Sequence, residues 1–154
     1  MNITAASWLK KVSENRSGAD EAFVAGLSGH LGAGKTAFVK AVANEVGMEE
    51  GVTSPTLVIM KSYEIDTNKS AAKNATQNGA FKRLVHIDAY RLERREELEA
   101  LRFEEIVADP GNLVMIEWPE NVGLTMNDGG ALDAWLKFDI KDGVYTIANK
   151  IVDK

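Results

Sequence analysis

The sequence contains no cysteine. A disulfide framework and a thiolate metal site are both excluded. Two histidines, His30 and His86, are too few for a multi-histidine metal centre. No apolar run approaches the ~18 residues that a membrane span needs. The N-terminus MNITAASWLKKVSEN lacks the basic-then-apolar layout of a signal peptide. The expected location is the cytoplasm, with no membrane partner. An excess of basic residues is missing too: 18 basic against 23 acidic residues give a net charge of −5. Such a domain is a poor candidate for gripping a phosphate backbone unaided, so any nucleic acid would be held through a partner. What is present is ordinary. The 154 residues are 45% apolar and 27% charged, which fits a single domain over 1–154 with a real hydrophobic core.

Apolar patterning divides the chain into alternating elements. ITAASWLKKVSE places Ala6, Leu9 and Val12 at helical spacing. Ala22 to Ser28 is a short apolar run of the kind found in buried strands. Lys35 to Val46 predicts a helix with Phe38, Val39, Val42 and Val46 on one face and Gly47 as its stop. Thr56–Ile65 and Phe81–Asp88 predict strands. Between them, residues 66–80 are small, polar and unpatterned, and read as a flexible surface loop. Arg94 to Asp109 predicts a helix broken near Phe103. Leu113 to Trp118 is an apolar run that ends in a carboxylate. Asp142-Gly143, between two alternating segments, is a strong hairpin signal. The expected fold is α/β: a mixed, mostly parallel sheet with helices on both faces and a C-terminal β-hairpin.

Four glycines fall within nine residues, Gly26, Gly29, Gly32 and Gly34, and Lys35 and Thr36 follow. GHLGAGKT (29–36) fits G-x-x-x-x-G-K-[ST], the phosphate-binding P-loop. A triphosphate can be surrounded by backbone N–H groups only if the chain makes a tight concave turn. Glycine permits that turn and a close backbone approach. In this pattern Gly32, Ala33 and Gly34 cradle the phosphates and Lys35 reaches the β- and γ-phosphates. Thr36 supplies a hydroxyl for Mg²⁺, and the following helix presents its positive end to the anion. A strand running in and a helix running out are the context that a P-loop requires.

A P-loop also needs a carboxylate at the end of a neighbouring strand. Two are available, Asp88 after LVHI and Glu117 after LVMI. Both would reach the carboxyl edge of the sheet, where α/β proteins bind ligands. The bland reading of either alone is a turn or helix cap. Other candidates have bland readings that weigh more. Arg91 reads better as a helix-entry ion pair with Glu96 or Glu97 than as an arginine on a transferring phosphate. Trp118 reads equally as a core-edge aromatic and as a nucleotide contact. His86, inside an apolar strand, reads as a hydrogen-bonded structural residue. The EELE run reads as a solvated helix face.

Four blocks, GHLGAGKT (29–36), SPT (54–56), HIDAYRLERREELEAL (86–101) and VMIEWPEN (114–121), stand in the order of a known family. The chain resembles the TsaE (formerly YjeE) family, bacterial P-loop ATPases of tRNA threonylcarbamoyladenosine (t6A) synthesis. The second pair of blocks discriminates, since many NTPases own the first. The resemblance implies ATP and Mg²⁺ as cofactors and TsaB and TsaD as partners, with tRNA reached indirectly through them. It implies a switch-like role for Ser54-Pro55-Thr56, with Thr56 at the nucleotide. It makes Asp88 and Glu117 the essential acidic pair, Glu117 being linked to Mg²⁺, and sets Trp118 beside the nucleotide. The sequence departs from the family pattern at His30, Ala37 and Leu57, and it lacks a clear match to the family's N-terminal nucleotide-contacting threonine, near which Ser7 falls.

Three functions are compatible with these residues. The first is a Mg²⁺-dependent ATPase, with Lys35, Asp88 and Glu117 catalytic, that resets a TsaB–TsaD complex. The second is a small-molecule kinase, although the one arginine cluster sits on an ordinary charged helix. The third is an ATP-dependent switch module that does not hydrolyse.

Overall fold

Phe23–Ser28 forms β1, and its position decides the rest of the architecture. Five of its six residues are buried. Such a strand must be covered on both faces and both edges, and it lies inside a six-stranded sheet. The protein is described here by a computed structural model covering residues 3–16, 18–48, 51–54, 58–66, 81–126 and 131–152. The other strands are β2 (Met60–Glu64), β3 (Arg83–Asp88), β4 (Asn112–Glu117), β5 (Ala134–Lys141) and β6 (Val144–Ile151). Their order is β2-β3-β4-β1-β5-β6. β3, β4, β1 and β5 run parallel, while β2 and β6 are antiparallel additions at the two edges. The sheet is therefore mixed and mostly parallel, as the patterning predicts.

Alternation along the parallel strands sorts side chains into two layers. Phe23, Ala25, Leu27, Leu84, Leu113 and Met115 face α1 (Ala5–Glu14) and α2 (Lys35–Glu45). Val24, Val85, Ile87, Val114 and Ile116 face α3 (Glu96–Glu99), α4 (Phe103–Val107) and the 3-10 turn Pro119–Val122. In the first layer, Trp8 of α1 meets Phe23 and Phe38 edge-on, and Phe38 meets Phe138 of β5 in the same way. These ring contacts tie the N-terminal helix, α2 and the sheet together. Among the described residues no helix is long and apolar enough to cross a membrane.

The elements differ from the sequence reading in two instructive places. In α1 the buried set is Ala5, Trp8, Leu9 and Val12, and Ala6 is exposed. The stripe is i, i+3, i+4, i+7 counted from Ala5, because the bulk of Trp8 takes the inward position. Thr4 caps this helix and exchanges capping-box bonds with Ser7, so Ser7 is engaged at the helix start. β2 begins only at Met60, because Ile59 takes φ 64° and the chain turns there. The 94–109 helix breaks where expected, beside Phe103: it is two short helices with Arg102 at φ 60° between them. The hairpin turn follows its signal: Asp142 and Gly143 both take positive φ, 53° and 76°, as a type I′ turn requires. The loop expected at 66–80 lies, apart from Asp66, outside the described residues.

Candidate nucleotide site

β1 ends at Ser28 and α2 starts at Lys35, so the glycine-rich loop turns at the carboxyl edge of the sheet. Gly29 has φ 144°, and a Cβ there would stand 2.4 Å from the carbonyl oxygen of Phe138 in β5. No side chain fits. Gly34 has φ 103° and is the N-cap of α2, with no side-chain cap. The first-turn N–H groups of α2 are thus left to a ligand or water.

Lys35 is only 4% exposed. Its Nζ donates to the carbonyls of Gly29 (2.5 Å) and His30 (2.8 Å), and it lies 4.2 Å from the centre of the Trp118 ring. Burial pushes its ammonium below the ordinary pKa, and the carboxylates of Glu117, Glu120 and Asp88 pull the other way. The lysine lies folded against its own loop, inside a ring of negative charge.

Strand alternation brings the acidic groups to it. Asp88 ends β3 beside Glu117, which ends β4. Counted by twos from Leu84 and Met115, His86, Asp88 and Glu117 all fall on the α2 face. Glu117, 3% exposed, accepts at Oε1 from the Thr36 hydroxyl (2.7 Å) and pairs at the same oxygen with His86 Nε2 (2.8 Å). Asp88 Oδ1 accepts the N–H of Tyr90 at 3.0 Å, so this carboxylate does shape a turn as well as border the site. Asn121 Nδ2 donates to the carbonyls of Ala89 and Tyr90, both at 3.1 Å. This amide stitches the segment after β3 to the 3-10 turn after β4.

Trp118 follows Glu117 with φ 58°, uncommon for an aromatic residue. Its backbone N–H donates to the Leu27 carbonyl of β1 at 3.0 Å, and its ring lies 5.1 Å from that of Tyr90. The core-edge reading of Trp118 fits its place. It packs at the edge of the second core layer and lines the cleft.

The cleft has a volume of about 430 Å³ and joins the loop to the ends of β3 and β4. Of the residues singled out from sequence, Gly32, Gly34, Lys35, Thr36, Asp88, Glu117 and Trp118 all line it. Ala33 is buried and borders a second hollow, about 450 Å³, on the other side of the loop among Phe38, Phe138, Tyr145 and Ile147. Thr56 lies outside the described residues, as does Pro55. The ion pair expected between Arg91 and Glu96 or Glu97 is not formed among the described residues. Glu97 instead accepts the backbone N–H groups of Glu93 (2.7 Å) and Arg94 (2.9 Å), and these bonds lower its pKa. Arg91 lines the cleft beside Tyr90. The sequence reading of His86 as a hydrogen-bonded residue agrees with its bond to Glu117, and Asn121 was given no role. Period-2 counting back from Asp88 would have put His86 on the same face as the carboxylates.

The family model described as threonylcarbamoyl adenosine biosynthesis protein TsaE matches residues 4–145. The chain belongs to the TsaE family. Curated relatives named tRNA threonylcarbamoyladenosine biosynthesis protein TsaE include one from Borreliella burgdorferi, 35% identical over 61% of this chain and 58% of the relative. Another, from Rickettsia conorii, is 37% identical over 61% of this chain and 45% of the relative. A third, from Treponema pallidum, is 35% identical over 67% of this chain and 64% of the relative. The matched segments thus span about half to two thirds of these relatives. In fold, the chain is similar to the crystal structure of YdiB from Bacillus subtilis, with a TM-score of 0.50 and 22% identity over 97% of this chain and 81% of that one. A TsaE-family loop of this form, at the carboxyl edge of a mostly parallel sheet, is a nucleotide-binding arrangement.

Proposed function

We propose that this TsaE-family chain is a single P-loop ATPase domain that binds ATP with Mg²⁺ and hydrolyses it to ADP and phosphate. The hydrolysis serves t6A modification of tRNA by resetting a TsaB–TsaD complex, and those partners hold the tRNA. The observation that carries the reading is the 2.7 Å bond between Thr36, on the helix after the loop, and Glu117, at the end of β4. Two elements distant in sequence meet where a P-loop enzyme needs a hydroxyl and a carboxylate together.

The residues fit Mg²⁺, because a hydroxyl and a carboxylate are hard oxygen donors. Among the described residues no group of three or more His, Cys, Asp or Glu could hold a metal. That agrees with a cation held by Thr36, Glu117 and the phosphates themselves rather than by a protein cage. When bound, Mg²⁺ neutralises charge on the β- and γ-oxygens. Lys35 leaves the Gly29 and His30 carbonyls for the phosphates, and the loop amides surround them. One of the two strand-terminal carboxylates, Asp88 or Glu117, orients the attacking water. The aromatic hollow beyond the loop offers flat apolar surface for a purine. The net charge of −5 supports leaving the tRNA to partners.

The test is Mg²⁺-dependent ATP hydrolysis, measured for the protein alone and with the cognate TsaB–TsaD pair, with Lys35→Ala and Glu117→Gln as controls. Each substitution should cut turnover at least about tenfold, a barrier increase of about 1.4 kcal/mol, and the pair should raise the rate of the unchanged protein. Unaltered rates in both variants would sink the site assignment. A pair without effect would sink the t6A role.

A further inference from the structure

His86 is fully buried between apolar neighbours in β3, and among the described residues its Nδ1 has no hydrogen-bond partner. Leaving a polar atom unsatisfied there is a cost that an apolar side chain would avoid. The return for it lies at the other ring nitrogen. Nε2 is 2.8 Å from Glu117 Oε1. A carboxylate oxygen accepts, so in this bond Nε2–H is the donor. Glu117 is itself almost wholly buried, and a buried carboxylate needs donors. Thr36 and His86 are two such donors, and both converge on Oε1. Thr36 donates its one hydroxyl hydrogen in this bond, which leaves its oxygen lone pairs for a cation.

We infer that His86 is a positioning residue for the cation end of the site. It rests on the Mg²⁺–nucleotide reading, and it acts only through Glu117. With its Nε2–H in place, the carboxylate is held against the Thr36 hydroxyl and the pair is set for Mg²⁺ before nucleotide arrives. Without it, Glu117 keeps a single one of the two donors named here and turns away from that geometry. Outer-shell hydrogen bonds of this kind are typically worth about 10- to 100-fold in metal affinity.

Two substitutions separate positioning from packing. Gln at 86 carries an N–H near the reach of Nε2. Asn ends near the reach of Nδ1 and leaves Glu117 without its donor. The readout is calorimetric titration with a non-hydrolysable ATP analogue, in Mg²⁺ and in EDTA. His86→Asn should lose about tenfold or more of the Mg²⁺-dependent gain in affinity, while His86→Gln stays within about threefold of the unchanged protein. Affinity in EDTA should hold in both. If His86→Asn keeps the full gain, or the two variants lose it equally, the positioning role is overturned. If the unchanged protein gains nothing from Mg²⁺, the Mg²⁺–nucleotide reading itself falls, and this inference with it. Should His86→Asn fail to fold, proton NMR of the unsubstituted ring decides. The Nε2–H resonance should lie downfield and shift upfield in Glu117→Gln, and an unmoved resonance overturns the inference.

Discussion

The two edges of the central sheet group their buried polar side chains differently. At the amino edge, Arg16, Asn112 and Asp133 are all buried, and each is engaged with backbone. Asp133 accepts the N–H of Val24 at 2.8 Å, and Asn112 donates to the carbonyl of Ile106 at 2.9 Å. Arg16 donates to the carbonyl of Pro110 and stacks 4.2 Å over the Phe81 ring, its pKa lowered by burial and sustained by Asp133. At the carboxyl edge, Lys35, His86, Asp88 and Glu117 are buried too; Lys35, Asp88 and Glu117 line one cleft, and His86 bonds Glu117. The backbone follows the same division. Three of the four described non-glycine residues with positive φ, Ile59, Trp118 and Asp142, sit at the carboxyl edge, as do Gly29, Gly32 and Gly34. Polar groups bonded to backbone hold a fold together. Polar groups gathered around a cavity, on strained backbone, are arranged for a ligand.

That contrast can be broken by substitution, and the largest effect is expected where loop and sheet meet. Gly29→Val puts a branched side chain against the Phe138 carbonyl. It should destabilise the fold by more than about 3 kcal/mol, read as a lower denaturant midpoint. Retained stability would mean that the loop is not fixed by β5. Next come two substitutions that should separate the edges. Asp133→Ala strands the Val24 N–H and should cost about 1–3 kcal/mol of stability with nucleotide affinity unchanged. Glu117→Gln should do the reverse, lowering turnover at least about tenfold while the melting temperature moves little. If each variant affects both properties alike, the two edges are not functionally distinct. A smaller loss, about 1 kcal/mol, is expected for Asn121→Ala, which removes the bonds to Ala89 and Tyr90. Nucleotide affinity should fall with it, and a stable variant with normal affinity would show that the stitch is dispensable. Smallest is Tyr145→Ala on the exposed hairpin. Stability should stay within about 0.5 kcal/mol, while affinity for ATP falls more than affinity for inorganic triphosphate. Equal losses would place the purine elsewhere.

Much of this was legible in one dimension. The glycine spacing announced the loop, because only a concave turn of that form explains Gly29, Gly32 and Gly34 ahead of Lys35 and Thr36. The hairpin turn was legible because Asp142-Gly143 is among the few pairs that take two positive φ values cheaply. Less legible were the boundaries set by tertiary contacts. β2 starts late because Ile59 turns where its carbonyl accepts the N–H of Asp88. Arg91 was misjudged because the sequence offered Glu97 as a partner. The fold spends that carboxylate on two backbone N–H groups instead.

By itself the sequence determined the chemistry at hand: a loop, a lysine, a hydroxyl and two strand-terminal carboxylates, each fixed by local rules of spacing and turn geometry. Tertiary structure alone decided which groups meet. Residues 36, 86 and 117 are far apart in the chain, and no local rule joins them. They converge because β3 and β4 lie parallel in a register that pairs Asp88 with Glu117, and because α2 packs on the face where every second residue points. Register and packing arise from burying the whole sheet at once, and a sequence read one segment at a time does not contain them.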